Sequence, residues 1–452
     1  MTRLFGTNGI RWTVGEETDP LFTTRLGLAI GTYYGAGSRL CVGRDTRTTG
    51  PQVFASVTSG LMACGVDVID LGIAPTPLVQ YATYKLGTEG GIVITASHNP
   101  PEYNGVKCVS VDGTEISRDD EKTIEDLFAT GDFARADWKS IGSMTTECMV
   151  QETYRREMVA QYALPEGAGK SVIIDCANGT AAAFTPDIMR RLGCKTSTLN
   201  AQPDGAFPGR FPEPTKENLG SLIEAVRCAD VDFGVAHDGD ADRAIFIDEN
   251  GEYVTGDHSL ALFAMDAVRK NGGKVVTAVN TSKVVEDAVR ANGGEVVYTP
   301  IGSPLIARRM KDIGAVIGGE GNGGVIFSCP QYYRDGILSA VKMLHVLDDA
   351  KRPLSQLVSE LPEYHLSRTK LPLASRALGD KVLERVKDAA QGDVIDIDGI
   401  KEVRDDHWVL VRLSGTEPIL RVTVESDSLE KTTRLLEENK KKVEEIIGSL
   451  AS

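Results

Sequence analysis

Short apolar runs alternate with amphipathic segments along most of this chain, and this rhythm constrains the fold more than any other feature. Strands are predicted at residues 40–43, 66–71, 91–95, 171–175 and 274–279. Helices are predicted at residues 52–64, 185–192 and 283–291. Such alternation is typical of βαβ units, so we expect an α/β protein with mixed, mainly parallel sheets.

The chain of 452 residues is too long for one hydrophobic core, since single domains usually hold roughly 100–200 residues. Candidate linkers lie near residues 145–152, 250–257 and 362–370. The last segment differs, with short strands and a charged amphipathic helix at about 428–447. We therefore predict three related α/β domains, at 1–150, 151–253 and 254–365, followed by an α+β domain at 366–452, around a central cleft.

Composition narrows the class of protein. The net charge of −15 argues against a nucleic-acid surface, which needs a basic stripe. No apolar run approaches the roughly 20 residues that span a bilayer, and no secretory leader is visible at the N-terminus. The eight cysteines are scattered without a C-x-x-C pair and are interpreted as reduced thiols. We expect a soluble, cytoplasmic protein that binds neither nucleic acid nor membranes.

Three polar loops each follow a short apolar run. We name them the Ser97 loop (residues 95–100), the carboxylate loop (238–243) and the glycine loop (318–324). In open α/β sheets, ligands gather at the carboxyl ends of the strands. The three loops are therefore expected to face one cleft.

The carboxylate loop places three acids at alternate positions: Asp238, Asp240 and Asp242. Clustered carboxylates repel one another unless a cation neutralises them, and oxygen ligands suit Mg²⁺ or Ca²⁺. An EF-hand calcium loop is disfavoured, because Arg243 stands where the sharp turn needs glycine and residues 244–248 resemble a strand. A solvated acidic turn stays open as the plain alternative.

The glycine loop matches the dinucleotide pattern G-x-G-x-x-G at residues 319–324. That motif requires a following helix whose N-terminus faces the pyrophosphate, whereas residues 325–330 look extended. Glu320 would also repel phosphates, and it fits better as an acceptor for sugar hydroxyls. A structural glycine turn is the alternative.

Each of the remaining candidate functional residues gives only a weak signal when it is taken alone. Ser97 lacks the G-x-S-x-G elbow of acyl hydrolases. His98 could orient or activate it, and Lys107 could shuttle a proton or bind phosphate, although both could equally be structural. Arg412 and Arg421 flank a loop at residues 412–418 (the tail loop), where arginine forks would suit phosphate.

Taken together and in order, six motifs resemble those of the α-D-phosphohexomutase superfamily over essentially the whole chain. They are residues 5–11, 43–47, the Ser97 loop, the carboxylate loop, residues 319–323 and the tail loop. The stretch 203–219 and the glycine loop look most like archaeal members. Trp12 and Asn322 depart from the family pattern, standing where many members have glycine and serine.

This resemblance implies four domains around a central cleft and a site with five roles. It implies a phosphoserine at Ser97, one Mg²⁺ ion held by the three aspartates and a Ser97 phosphate oxygen, and a Glu320 and Asn322 pair that reads sugar hydroxyls. It implies catalytic or positioning cations at Arg11, Lys107 and Arg243. The substrate's non-reacting phosphate would be held by Arg412, Ser414, Gly415, Thr416 and Arg421.

The implied activity is the interconversion of hexose 1-phosphate and hexose 6-phosphate through a hexose 1,6-bisphosphate. Residues 5–11 and 414–418 look closest to phosphoglucosamine mutases, while phosphomannomutases and phosphoglucomutases are alternatives. A non-catalytic protein that binds metal and sugar phosphate with the same loops is a third. The partner is expected to be a small phosphosugar, and the chain to be a monomer or a homodimer.

Overall fold

Four β-sheets follow one another along the chain in this computed structural model, which describes residues 4–165, 169–328, 332–414 and 418–451. The first three sheets combine parallel strands with antiparallel edge strands, and helices connect the parallel strands. The fourth sheet is wholly antiparallel. The predicted fold class is confirmed.

The first sheet has the strand order β1-β5-β4-β2-β3-β6. Helix α1 begins where the Asp19 side chain accepts a hydrogen bond from Phe22 N, and α4 begins with a capping box at Ser117. The elements are β1 (Ile10–Thr13), α1 (Pro20–Tyr34), β2 (Arg39–Arg44), α2 (Gly50–Ala63), β3 (Asp67–Ile73), α3 (Thr76–Lys85), β4 (Gly90–Ile94), β5 (Tyr103–Ser110), α4 (Arg118–Thr130) and β6 (Met144–Thr146).

The second sheet contains the hairpin that carries the carboxylate loop. Its elements are α5 (Met149–Gln161), β7 (Ser171–Asp175), α6 (Thr185–Arg191), β8 (Lys195–Leu199), α7 (Gly220–Arg227), β9 (Phe233–His237), β10 (Ala244–Asp248) and β11 (Tyr253–Val254). Strands β9 and β10 pair antiparallel from His237 and Ala244 outward. The loop between them is therefore fixed at the end of two buried strands.

The third sheet is built in the same way and carries the glycine loop between β14 and β15. Its elements are α8 (Gly256–Asn271), β12 (Lys274–Ala278), α9 (Lys283–Ala291), β13 (Glu295–Thr299), α10 (Ser303–Ile313), β14 (Ile317–Gly319), β15 (Val325–Phe327), α11 (Gly336–Ala350) and α12 (Leu354–Ser359). Strand β14 runs parallel to β12, and β15 returns antiparallel to β14.

The last sheet packs its helices against a core of its own, which includes Leu371, Val382, Val411, Val422 and Val443. Its elements are β16 (His365–Pro372), α13 (Arg376–Ala389), β17 (Asp393–Ile395), β18 (Ile400–Val403), β19 (His407–Leu413), β20 (Ile419–Ser426) and α14 (Leu429–Ala451). This is the α+β arrangement that the sequence predicts for the C-terminal region.

Buried apolar side chains join the first three sheets more extensively than they join the fourth. One continuous cluster runs from Cys41 in β2 to Leu361 beyond α12. A smaller cluster of Val279, Trp408 and Leu410 connects the third and fourth sheets. Among the described residues, none of the helices combines the length and the apolar character needed to span a membrane.

Candidate active site

Ser97 lies just beyond the carboxyl end of β4, in a sharply turned loop. Its φ angle is 52°, in the left-handed region that few non-glycine residues adopt, and it is fully buried. Ser97 N donates to Thr95 Oγ1 at 2.8 Å, and Thr95 Oγ1 donates to Asp45 Oδ2 at 2.6 Å. Ser97 Oγ donates to Asp238 Oδ2 at 2.9 Å. The turn therefore aims the serine hydroxyl at the carboxylate loop.

Asp238, Asp240 and Asp242 lie together, with carboxylate oxygens within 4.8 Å of one another. All three side chains are buried. Among the described residues, Asp240 Oδ1 and Asp242 Oδ1 have no hydrogen-bond donor, which is costly for buried carboxylates. A set of hard oxygen donors with two unsatisfied members fits Mg²⁺. The EF-hand alternative is excluded, because strand β10 follows the loop directly.

Three cationic side chains surround these carboxylates. Lys107 Nζ donates to Asp240 Oδ2 at 2.7 Å and to Asp242 Oδ2 at 2.9 Å. Arg334 Nη2 donates to Asp242 Oδ2 at 2.6 Å. Arg243 Nε lies 3.8 Å from Asp242 Oδ1. The Oδ2 atoms of Asp240 and Asp242 are thus held by protein donors, while the Oδ1 atoms of the same two residues have no hydrogen-bond partner among the described residues and can bind a ligand.

Burial and mutual repulsion separate the acidities of the carboxyl groups. Burial, together with the charges of Asp242 and Asp240, raises the pKa of Asp238 well above its usual range. Burial also opposes ionisation of Asp242, but Arg334 and Lys107 outweigh it and hold the pKa of that carboxyl below its usual range. A bound cation would favour the ionised form of all three carboxyl groups.

Lys107 is a fixed cation in this geometry. Burial opposes its charge, but Asp240 and Asp242 outweigh burial and raise its pKa above the usual value. Its side chain is 2% exposed. Lys107 can therefore stabilise negative charge on a phosphoryl group, and it must lose a proton before it can accept one.

His98 and Arg11 border the serine on another side. His98 Nδ1 lies 3.2 Å from Ser97 Oγ. Burial, reinforced by the charges of Arg243 and Arg11, lowers the pKa of His98 far below its usual value, so the imidazole is neutral. Arg11 Nη1 donates to Asn99 Oδ1 at 2.7 Å, and burial with nearby Arg243 lowers its pKa to about 10.

Glu320 begins the tight turn of the glycine loop. Its amide donates to Gly324 O at 3.0 Å, and Gly324 N donates to Asn322 Oδ1 at 3.0 Å. Strand β15, rather than a helix, follows the loop, which excludes the dinucleotide alternative. Arg334 Nη1 lies 3.7 Å from Glu320 Oε2, so one guanidinium connects the glycine loop to the carboxylate loop.

A cleft of about 570 Å³ opens beside these loops. Its walls come from the second, third and fourth sheet regions. The charged side chains on it are Glu213, Arg243, Asp257, Glu320, Arg368 and Glu425. The cleft is large enough for a sugar phosphate and carries more carboxylates than arginines.

The tail loop lies at the end of β19. Arg412 and Arg421 are direct cross-strand partners on β19 and β20, and Arg412 Nε lies 2.8 Å from Asp398 Oδ1. Ser414 is buried, and its amide donates to Ile419 O at 2.9 Å. Gly415 and Thr416 fall outside the described residues. A phosphate site here stays a prediction.

Two arginines in contact with the site were missed by the sequence reasoning. Arg334 precedes Asp335, the N-cap of α11, and nothing in its local pattern indicates a contact with Asp242. Arg47 lies in the motif at residues 43–47, and that motif is the sequence signal that could have identified it as a site residue. Its guanidinium lies beneath the Ser97 loop and donates to Ser97 O at 3.0 Å.

Serine, carboxylate and glycine loops at the ends of successive α/β sheets, closed by an α+β domain, define the phosphohexomutase class of isomerases. Models of the phosphoglucomutase/phosphomannomutase α/β/α domains I, II and III match residues 2–135, 152–251 and 255–364. The C-terminal domain of the same family matches residues 369–442. The chain belongs to the phosphoglucomutase/phosphomannomutase family.

Two relatives of known name and one solved structure match this chain over nearly its full length. The chain is 42% identical to the phosphoglucomutase/phosphomannomutase of Thermococcus kodakarensis, with 99% of this chain and 100% of that protein covered. It is 41% identical to the phosphoglucosamine/phosphogalactosamine mutase of Sulfurisphaera tokodaii, covering 98% and 100%. A crystal structure of a phosphoglucomutase/phosphomannomutase family protein from Burkholderia thailandensis superposes with a TM-score of 0.89 at 28% identity, covering 99% and 98%.

Proposed function

We propose that this phosphohexomutase interconverts glucosamine 6-phosphate and glucosamine 1-phosphate, with Ser97 as the phosphate carrier. The contact of Ser97 Oγ with Asp238 Oδ2, at 2.9 Å, is the observation that carries the proposal. It places a buried hydroxyl directly beside three carboxylates and their surrounding cations. A phosphoryl group on this oxygen would lie where charge stabilisation is concentrated.

The proposed reaction moves a phosphoryl group from Ser97 to the free hydroxyl of a hexose monophosphate. The bond from phosphorus to Ser97 Oγ breaks, a bond to the sugar oxygen forms, and the hydroxyl proton ends on Ser97 Oγ. The hexose 1,6-bisphosphate then turns over in the cleft and returns its other phosphoryl group to Ser97 by the reverse step. Positioning and charge stabilisation dominate such transfers.

Lys107 is the proposed proton-handling group. Asp240 and Asp242 stabilise the protonated form of Lys107, so a cation that competes for these carboxylates would lower the pKa of Lys107. The ammonium would then release a proton to solvent, and the neutral amine could accept the hydroxyl proton of the sugar and pass it to Ser97 Oγ. Arg11 and Arg243 would stabilise the phosphoryl oxygens. His98, neutral beside Ser97, would orient the serine oxygen.

Mg²⁺, held by Asp238, Asp240, Asp242 and an oxygen of the Ser97 phosphate, would neutralise charge on the transferring group. Glu320 would accept hydrogen bonds from the sugar hydroxyls, and the Asn322 amide would donate to them or accept from them. The tail loop would hold the non-reacting phosphate through Arg412, Ser414, Gly415, Thr416 and Arg421. Closure of the C-terminal domain would exclude water, which otherwise hydrolyses phosphoserine.

The preference for glucosamine has two supports. A relative that covers the chain at 41% identity is named a phosphoglucosamine/phosphogalactosamine mutase. Leaving aside Glu425, whose carboxylate is bonded to Lys283 N and Trp408 Nε1, the cleft presents three carboxylates against two arginines, and this surplus suits an ammonium group on the sugar. The relative at 42% identity is named phosphoglucomutase/phosphomannomutase, which makes glucose and mannose phosphates the second candidate.

Replacing the serine tests the carrier role. We expect Ser97→Ala to lose mutase turnover and to take up no phosphate from glucose 1,6-bisphosphate, as measured by intact-protein mass, while its unfolding temperature stays near that of the wild type. The matched control is Ser59→Ala, at an exposed position of α2. Turnover by the Ser97→Ala protein would refute the assignment.

Substrate comparison tests the sugar. A coupled assay with glucosamine, glucose and mannose 1-phosphates should give the highest kcat/KM for glucosamine. A higher value for glucose or mannose would overturn the sugar assignment and leave the mutase chemistry intact. The cytoplasmic location, the monomeric or homodimeric state and the domain boundaries stay predictions.

A further inference from the structure

We infer that Arg47 is a positioning residue that fixes the Ser97 loop against the carboxylate loop, an inference that rests on the proposed function. Arg47 is 1% exposed, which is unusual for a charged side chain unless its partners are complete. No substrate role follows for it, because it lies beneath the loop rather than in the cleft.

All five N–H donors of the guanidinium are used: three on carbonyls of the Ser97 loop, one on the carbonyl of Tyr103 at the start of β5, and one on Asp45. Nη1 donates to Pro100 O at 2.5 Å and to Tyr103 O at 2.9 Å. Nη2 donates to Ser97 O at 3.0 Å and to Asn99 O at 2.6 Å. Since four carbonyls converge on one rigid fork, the loop cannot shift without breaking several charge-assisted hydrogen bonds.

The fifth donor, Nε, connects Arg47 indirectly to the backbone amide of Ser97. Arg47 Nε donates to Asp45 Oδ2 at 3.1 Å, and both side chains are fully buried. Asp45 Oδ2 also accepts from Thr95 Oγ1, which in turn accepts from Ser97 N. The ion pair therefore holds the carbonyl of Ser97 directly and its amide through Thr95, which fixes the left-handed turn at the serine.

Phe207, which belongs to the region of the second sheet, packs against the Arg47 guanidinium. The guanidinium carbon of Arg47 lies 5.1 Å from the centroid of the Phe207 ring. A Cβ atom added to Gly239 would lie 3.5 Å from that ring and 2.7 Å from Ser97 O. The ring thus contacts Arg47 and lies next to the carboxylate loop, and we expect this packing to help set how closely Ser97 approaches Asp238.

A role in positioning predicts a particular kinetic signature. Misplacing reacting atoms by about 1 Å can cost about 100-fold in rate. The sugar is read by other loops, so its binding should change little. Loss of Arg47 should therefore lower kcat and the rate of Ser97 phosphorylation, and leave KM nearly unchanged.

The test uses full-length Arg47→Met, Arg47→Lys and Phe207→Leu, with Arg385→Met in α13 as an exposed control. Phosphate uptake from glucose 1,6-bisphosphate is followed by mass, alongside kcat, KM and the unfolding temperature. We expect Arg47→Met to lose about 100-fold in both rates, Arg47→Lys and Phe207→Leu about tenfold, with KM within about threefold. Partial recovery in the lysine variant reports the retained charge and donors.

The outcomes separate this inference from the proposed function. If the wild type takes up no phosphate on Ser97, the proposed function fails. If the wild type is phosphorylated and the folded variants match its rates, or lose activity through KM alone, the inference is overturned. Where the Arg47 variants do not fold, Phe207→Leu decides: a wild-type phosphorylation rate in that protein overturns the inference.

Discussion

Two buried oxygens, Asp240 Oδ1 and Asp242 Oδ1, give the most direct residue-scale prediction. Since neither has a donor among the described residues, a divalent cation should bind them and stabilise the fold. At 100 times its Kd a ligand adds about 2.7 kcal/mol to the free energy of unfolding, and thermal unfolding with added MgCl₂ measures this. Asp242→Asn should lose the stabilisation, and exposed Asp132→Asn should keep it. An unchanged wild-type unfolding temperature in Mg²⁺ would contradict the prediction.

The spacing of the three aspartates predicted a cation site, and Lys107 and Arg243 were also predicted, but the contacts of Arg334 and Arg47 were not. The three aspartates alternate within one loop, so their type and spacing predict a cation site. Arg334 reaches Asp242 across 92 positions, and Arg47 reaches the Ser97 carbonyl across 50. Contacts at such separations depend on how sheets and domains pack, which periodicity does not encode.

At the scale of elements, Gly239 marks where the loops after β4 and β9 meet. A methyl group there would lie 2.7 Å from Ser97 O, below any ordinary contact, so the two loops must move apart. We expect Gly239→Ala to lower kcat about 100-fold with a modest loss of stability, measured by turnover and thermal unfolding. Gly220→Ala is the matched control, because nothing lies within 4 Å of its Cβ position. Equal kcat in the two variants would show that the approach of the loops is unimportant.

Helix α11 carries a pH-dependent cap. Asp335 Oδ1 accepts from Leu338 N, Oδ2 accepts from Tyr154 OH, and burial raises the pKa of Asp335 to about 6. Because the pKa of Asp335 is higher in the folded protein than the value of 3.8 in the unfolded chain, its contribution to the free energy of unfolding is complete below pH 3.8. That contribution is lost as the pH rises through about 6. Asp335→Asn should remove this pH dependence, which amounts to about 2 kcal/mol between pH 4.5 and pH 8. Thermal unfolding at pH 4.5 and pH 8 measures it, and parallel profiles for wild type and variant would disprove it.

Element bounds were more predictable than strand directions. The predicted strand at 171–175 and helix at 283–291 match β7 and α9 residue for residue, because burial imposes a clear apolar pattern on both. The antiparallel direction of β15 depends on its pairing with β14. That pairing follows from the tight turn of the glycine loop, and the periodicity of apolar residues does not predict it.

At the scale of the whole molecule, the fourth sheet is held to the third mainly by a few polar contacts around a small apolar cluster. Lys401 Nζ donates to Val279 O at 2.8 Å, and Asp398 Oδ2 accepts from Ile301 N at 2.9 Å. Asp398 also pairs with Arg412. Docking of the C-terminal domain and orientation of the proposed phosphate-binding arginine are therefore coupled through one carboxylate.

Glu425 is the contact through which this docking can be tested. Its Oε2 accepts from Lys283 N at 2.8 Å and from Trp408 Nε1 at 2.6 Å. Glu425→Leu leaves both donors unsatisfied, and each costs about 1–3 kcal/mol. We expect weaker docking to raise the KM for hexose phosphate about tenfold, the factor that corresponds to about 1.4 kcal/mol, and to speed hydrogen exchange at the Lys283 amide. Glu425→Gln keeps an acceptor and should stay close to the wild type, as should exposed Glu430→Leu. If Glu425→Leu keeps both the wild-type KM and the wild-type exchange rate, substrate phosphate is bound without help from this contact.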